Sequence, residues 1–188
     1  MRALYLAGPE VFLAEAVAIG QEKKKLCEAH GFQGLFPLDA ELSLAHAPSR
    51  SIFEANAAMI RRCDAIIANL TPFRSPSADV GAVFEVGMAF ALEKPIFAYT
   101  NVTDVYAARV CGAQRAAAPL VADDGLSVED CGLFDNLMIA EAIRAQGRDV
   151  ISTDAPREQR YTNLSGFELC LRQAEAFYAR GAAAFQMR

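Results

Sequence analysis

The chain has 188 residues, 53% of them apolar, and a formal net charge of −5. That length and apolar content suit one domain with a full hydrophobic core and exclude an intrinsically disordered chain. The acidic balance excludes a nucleic-acid polymer as partner, and no uncharged run approaches a membrane span, so no membrane partner is expected.

Taken in chain order, Ala3 to Ala7 is a short apolar run ending at Gly8-Pro9, a buried strand followed by a loop. Helical periodicity runs from about Phe12 to His30, and Lys23-Lys24-Lys25 within it reads as a solvated face. Phe32 to Phe36 predicts a second strand, Glu41 to Ser51 a loop, and Ser51 to Cys63 a second helix. Asp64 to Asn69 is a central strand, apolar throughout as buried parallel strands are. A loop from Thr71 to Ala78, a helix from Asp79 to Glu93 and a strand from Pro95 to Tyr99 follow. Residues 102–130 form an Ala-rich excursion, a lid or an interface insert. Asp135 is the expected N-cap of a helix through Ala145, Val150-Ile151 is extended, and a last helix spans Asn163 to Arg180.

Strands alternating with helices predict an α/β fold, a doubly wound parallel sheet in a single domain over residues 1–188. Such sheets bind ligands outside the C-terminal ends of their strands. That rule selects the loops Gly8 to Phe12, Phe36 to Asp39 and Thr71 to Asp79. It demotes Asp64, at the opposite edge.

Several chemistries lack their motifs. No GxGxxG follows the first strand and no GxxxxGK[ST] occurs, so no nucleotide cofactor is expected. The two histidines, His30 and His46, have no local ligand or triad partner. Five cysteines without CxxC spacing argue against a disulfide framework or structural zinc; reduced thiols and the absence of a visible signal peptide point to the cytoplasm. No metal is expected.

Carboxylates remain. Asp79 opens the third helix, and Glu85 lies six residues on, about 600° of helical rotation away. The two converge only if Asp79 belongs to the cap. Glu85 sits among Val83, Phe84, Val86 and Met88; an acid in such company is either costly or useful, or lies on a solvent stripe. Asp79 is a natural N-cap. Gly81 and Gly87 flank the acid and admit either a ligand or close packing. Tyr5 packs in the core or orients a carboxylate.

Four segments together resemble the nucleoside 2-deoxyribosyltransferases: Tyr5-Leu-Ala-Gly-Pro-Glu-Val-Phe12, Asn69-Leu-Thr-Pro-Phe-Arg74, Asp79-Val-Gly-x-x-x-Glu85-x-Gly87 and Asp135-Asn-Leu-Met138. The resemblance implies a flavodoxin-like fold and transfer of 2-deoxyribose from a deoxynucleoside to another nucleobase. It puts Glu85 on the nucleophile that attacks C1′, Tyr5 on the residue that orients it and Asp79 on the acid at the base. It implies a homo-oligomer in which Asn136 and Met138 are lent to a neighbour. Substrate contacts are expected near Gly8, Pro9, Glu10, Phe12, Phe36, Asn69 and Gly81, with Glu10 either reading a base edge or standing as a helix-start acid favoured by the dipole. One position departs: where better-known members carry a second aspartate, this chain has Asn56, an amide that donates no catalytic proton and either reads a base edge or is a polar residue on an exposed helix face. The related 2′-deoxynucleoside 5′-phosphate N-hydrolases resemble the chain too, except that a serine stands where Asp79 does; a non-catalytic nucleoside-binding regulator on the same fold is a third reading.

Overall fold

In a computed structural model, the structure describes residues 1–40, 48–112 and 120–186. His46 and most of the loop expected from Glu41 to Ser51 therefore lie outside the described residues, as do residues 113–119 of the excursion.

Five strands form the sheet: β1 (Arg2–Ala7), β2 (Phe32–Leu35), β3 (Ala65–Asn69), β4 (Ile96–Thr100) and β5 (Ile151–Ser152). Their order is β2-β1-β3-β4-β5 and every pairing is parallel. This is the doubly wound, flavodoxin-like order expected of alternating strands and helices. Every residue of β3 and β4 is buried, which is why both read as unbroken apolar runs rather than alternating ones.

The helices are α1 (Ala16–Ala29), α2 (Ser49–Arg62), α3 (Val80–Ala91), α4 (Tyr106–Cys111), α5 (Leu137–Arg144) and α6 (Ser165–Gln186). Two cores result. On one sheet face Tyr5, Ile66 and Ala98 pack against Met59 and Ile60 of α2, Val86 of α3 and Ile143 of α5. On the other face Leu4, Leu6, Ile67 and Phe97 pack against Cys27 of α1 and Phe167, Cys170 and Leu171 of α6. None of the helices among the described residues is long and apolar enough to cross a membrane.

Several boundaries differ from expectation for local reasons. Pro9 starts a 3-10 turn over Pro9–Phe12, so α1 begins only at Ala16. The cap of α5 is Asn136, whose side chain accepts from the Met138 N–H at 3.0 Å; Asp135 is turned inward instead. Asp64 precedes β3, and its carboxylate accepts from the Ala3 N–H at 2.7 Å.

The largest surprise lies under the strand ends. Lys23, expected on a solvated face, is 1% exposed and forms an ion pair with the fully buried Glu10. The same oxygen, Glu10 Oε1, accepts from Asn69 Nδ2 at 2.9 Å and from the Tyr99 hydroxyl at 3.1 Å. Burial, and then the Glu10 charge beside it, keeps the Tyr99 phenol protonated and able to donate. Asn69 passes the network on by accepting from the Thr71 N–H at 2.9 Å, and Thr71 Oγ1 accepts from the Asn101 N–H at 3.0 Å. Three strands thereby share one polar knot at their C-terminal ends. Gly8 is required there, since a Cβ would lie 2.1 Å from Glu10 Oε2 and 2.8 Å from Asn69 Cβ.

Removing one partner of such a pair leaves a buried, uncompensated charge. Lys23→Met is therefore expected to cost about 3–5 kcal/mol in urea unfolding at pH 7, with most of the loss recovered when Glu10→Gln is added. Equal stability of the Lys23→Met variant and the wild type contradicts that account.

Candidate active site

The helix α3 presents buried Ala82, Val86 and Ala89 to the sheet, at the 4- and 3-residue spacings of one helical face. That orientation decides where its acids go. Asp79 caps the helix: it has extended backbone angles (φ −57°, ψ 129°), and its Oδ2 accepts from the Ala82 N–H at 3.0 Å. The capping conformation removes Asp79 from the helical rotation that would otherwise separate it from Glu85, and both acids line one cleft.

The cleft has a volume of about 160 Å³. Of the residues expected at the site, Gly8, Phe12, Asn56, Asp79, Gly81 and Glu85 line it. Its apolar walls come from Val11, Pro37, Leu38 and Ile52. Ile52 carried no sequence signal, because an isoleucine on an amphipathic helix reads as core. The cleft lies at the C-terminal edge of the sheet, as the topology requires. A roomier cavity, about 700 Å³, lies beside Arg2 and Arg148 and contains neither acid of the pair.

Tyr5 is fully buried in β1, and its hydroxyl donates to Glu85 Oε1 at 2.5 Å, linking positions 80 residues apart. Burial, and then the Glu85 charge, drives the phenol far above its ordinary range, so Tyr5 acts as a fixed donor. Glu85 Oε2 takes no hydrogen bond from the described residues. Burial pushes the Glu85 carboxyl up to about 7; the Tyr5 hydrogen bond opposes this and the Asp79 charge adds to it. Asn56 lines the cleft, and its buried Oδ1 has no hydrogen-bond partner among the described residues.

An aromatic group marks the rim. Phe12, half-exposed, stacks on Phe73 with centroids 5.3 Å apart, and Phe73 meets Tyr161 edge-on. The Arg74 guanidinium lies 5.1 Å from the Phe12 ring centroid and 4.7 Å from that of Phe73, on a left-handed backbone (φ 57°).

Four expected contacts are turned away. Pro9 is buried, and Glu10 and Asn69 are fully buried in the polar knot beneath Gly8. Phe36 is 2% exposed and fills the space over Gly20, where a Cβ would lie 2.5 Å from its ring. These residues shape the cleft from behind rather than face it. Asn136 and Met138 stand at the start of α5 and do not line the cleft of their own chain. Asn136 Nδ2 donates to Glu129 Oε1 at 2.8 Å, and Met138 is 73% exposed beside an apolar groove of about 410 Å³ that α5 forms with Val83, Gly87 and Phe90 of α3.

A tyrosine-tethered carboxylate and a second acid thus share one cleft at the strand ends of a parallel α/β sheet. The sequence matches the nucleoside 2-deoxyribosyltransferase family over residues 4–138, and the chain belongs to that family. It is 33% identical in sequence to a 2-deoxyribosyltransferase of Leishmania mexicana whose structure is known; the match covers 87% of this chain and 97% of that one, with a TM-score of 0.65. It is 30% identical over 164 residues to the uncharacterized protein C191.05c of Schizosaccharomyces pombe, covering 77% of this chain and 78% of that protein. A conserved protein of Enterococcus faecalis V583 shares the fold, with a TM-score of 0.56 at 19% identity over 93% of this chain and 99% of that one.

The raised Glu85 pKa has a consequence for stability. The carboxyl titrates near 4.5 when unfolded and near 7 when folded. The folded state therefore holds the proton more tightly, and stability falls as pH rises through that window. Glu85→Gln keeps an acceptor for Tyr5 and removes the charge. It is expected to be more stable than the wild type at pH 8 by up to about 3 kcal/mol, with the advantage gone near pH 4.5. Chemical denaturation at the two pH values checks this.

Proposed function

We propose that the enzyme transfers 2-deoxyribose between nucleobases by double displacement through a deoxyribosyl ester of Glu85. The observation that carries the proposal is the 2.5 Å hydrogen bond from Tyr5 to Glu85 in a cleft that Asp79 also lines. With Oε1 held by Tyr5, Oε2 is the oxygen that attacks C1′. The C1′–N bond breaks as the C1′–O bond forms; the base leaves with the bonding electron pair and takes a proton from Asp79. An acceptor base then attacks C1′ through a ring nitrogen, Glu85 departs as carboxylate, and the surplus proton on the base returns to Asp79. The oxocarbenium character of both transition states is what a carboxylate beneath the sugar stabilises.

The remaining contacts follow from the lining. The unpartnered Asn56 Oδ1 accepts from the base edge, and the half-exposed ring of Phe12 offers a stacking face. The substrates are small deoxynucleosides and free nucleobases. The cleft of about 160 Å³ is smaller than the roughly 300–1,000 Å³ usual for ligand sites, which supports a site completed by a second copy of the chain. The exposed apolar residues Val80, Phe84, Phe90 and Met138 support the same reading, with Asn136 and Met138 lent to the neighbour's cleft. A cytoplasmic role in deoxynucleoside salvage belongs to the proposal and is supported by five cysteines that are all free thiols.

Deoxyinosine incubated with adenine is expected to yield deoxyadenosine, and a 2-fluoro deoxynucleoside is expected to leave a sugar adduct that maps to Glu85. Base release without exchange, or an adduct that persists in Glu85→Ala, contradicts the mechanism. Tyr5→Phe is expected to lower kcat about tenfold, the loss of one orienting hydrogen bond worth about 1–2 kcal/mol, and to move the acidic limb of the pH profile upward, because that bond holds the Glu85 pKa down. Mixing inactive Glu85→Ala with inactive Asn136→Ala is expected to restore transfer through hybrid clefts; no restoration contradicts the shared site.

A further inference from the structure

Asp135 is 1% exposed, yet it neither lines the cleft nor caps α5. Its carboxylate reaches across 57 residues to the loop that ends in Asp79. Oδ2 accepts from the Ala78 N–H at 2.8 Å, and Oδ1 accepts from the Ser77 hydroxyl in a short hydrogen bond. Ala78 is the residue immediately before Asp79 and is itself buried, so without Asp135 its N–H has no acceptor.

Arg109 of α4 closes the other side. Its Nε donates to the Pro76 carbonyl at 2.8 Å, one amino group to the Asp104 carbonyl at 2.5 Å and the other to the Phe134 carbonyl at 2.6 Å. The last of these also stands 3.9 Å from Asp135 Oδ2. One guanidinium thus joins the β3–α3 loop, the segment before α4 and the segment before α5. A planar five-donor group suits this task, and lysine does not.

We propose that Asp135, with Arg109 behind it, is a positioning residue that sets where the Asp79 carboxylate meets the departing base. The proposal rests on the reading of Asp79 as the proton donor. It gives the excursion after β4 a role: its described part braces the acid's loop. A lid would need to leave the cleft, whereas these contacts tie the excursion to the backbone of residues 76–78. Proton transfer tolerates little misplacement: an error of about 1 Å can cost about 100-fold in rate.

The test measures single-turnover rates of base release over the deoxynucleosides that the wild type cleaves. They are ordered by the acidity of the departing base and end with 7-methyl-2′-deoxyguanosine, whose base leaves neutral without a proton. Asp135→Asn keeps the volume and replaces one acceptor by a donor. It is expected to slow the least acidic bases at least tenfold and the most acidic ones little, with KM nearly unchanged, so that dependence on base acidity steepens. A uniform loss across the series, or no loss, overturns the proposal. Ser77→Ala removes one hydroxyl and is expected to steepen the dependence by a smaller factor, about threefold at the least acidic end; it carries the test if Asp135→Asn does not fold. Asp79→Asn runs alongside. If it leaves the dependence unchanged, the acid assignment fails. If it steepens the dependence while Asp135→Asn and Ser77→Ala do not, the brace alone is refuted.

Discussion

Glu10 is fully buried, and one of its oxygens accepts from a lysine, an amide and a phenol. A carboxylate in that position is costly unless it is paired and hydrogen-bonded; Oε1 gathers all three donors, while the buried Oε2 has no partner among the described residues. Those donors come from α1, from the end of β3 and from β4. Holding them together fixes the relative height of the strand ends, and with it the loops that leave them. The Gly8–Phe12 turn is part of the knot through Glu10 itself. The β3–α3 loop is attached through Asn69 and Thr71.

Above that floor, the chemistry depends on a second long-range contact. Tyr5 and Glu85 sit on a strand and a helix packed through the same core. Burial alone would hold Glu85 protonated far into the neutral range; the tyrosine hydrogen bond lowers that tendency and leaves the carboxyl near 7. The group therefore exchanges its proton near neutral pH. Asp79, close enough for its charge to raise Glu85, couples the two acids electrostatically as well as spatially.

Much of this was legible in the residues. Asp64-Ala-Ile-Ile-Ala-Asn69 and Pro95-Ile-Phe-Ala-Tyr99 read as buried parallel strands because burial on both faces leaves no polar alternation. The strand-end rule selected the loops that line the cleft. Helical spacing separates Asp79 from Glu85, and they share a cleft because Asp79 is the cap, the one condition under which the sequence lets them converge. Lys23 was misread because a lysine triplet looks solvated whichever member turns inward, and its partner Glu10 stands on a separate turn ahead of the helix. Asp135 was misread as a cap for a similar reason: its true partners, Ser77 and Ala78, are more than fifty residues away, and no local pattern announces them.

The Gly8 contact also bears on redesign. Oε2 and Cδ of Glu10 and the Cβ of Asn69 leave no room for any side chain at position 8, and the backbone there cannot retreat without loosening the knot. Efforts to reshape the cleft therefore have unequal starting points within a five-residue stretch. Val11 and Phe12 face the cleft and are free of the buried network, as are Leu38 and Ile52 across from them. Libraries confined to those four positions vary the walls of the site while its foundation stays intact, whereas changes at Gly8 or Glu10 disturb the buried network itself.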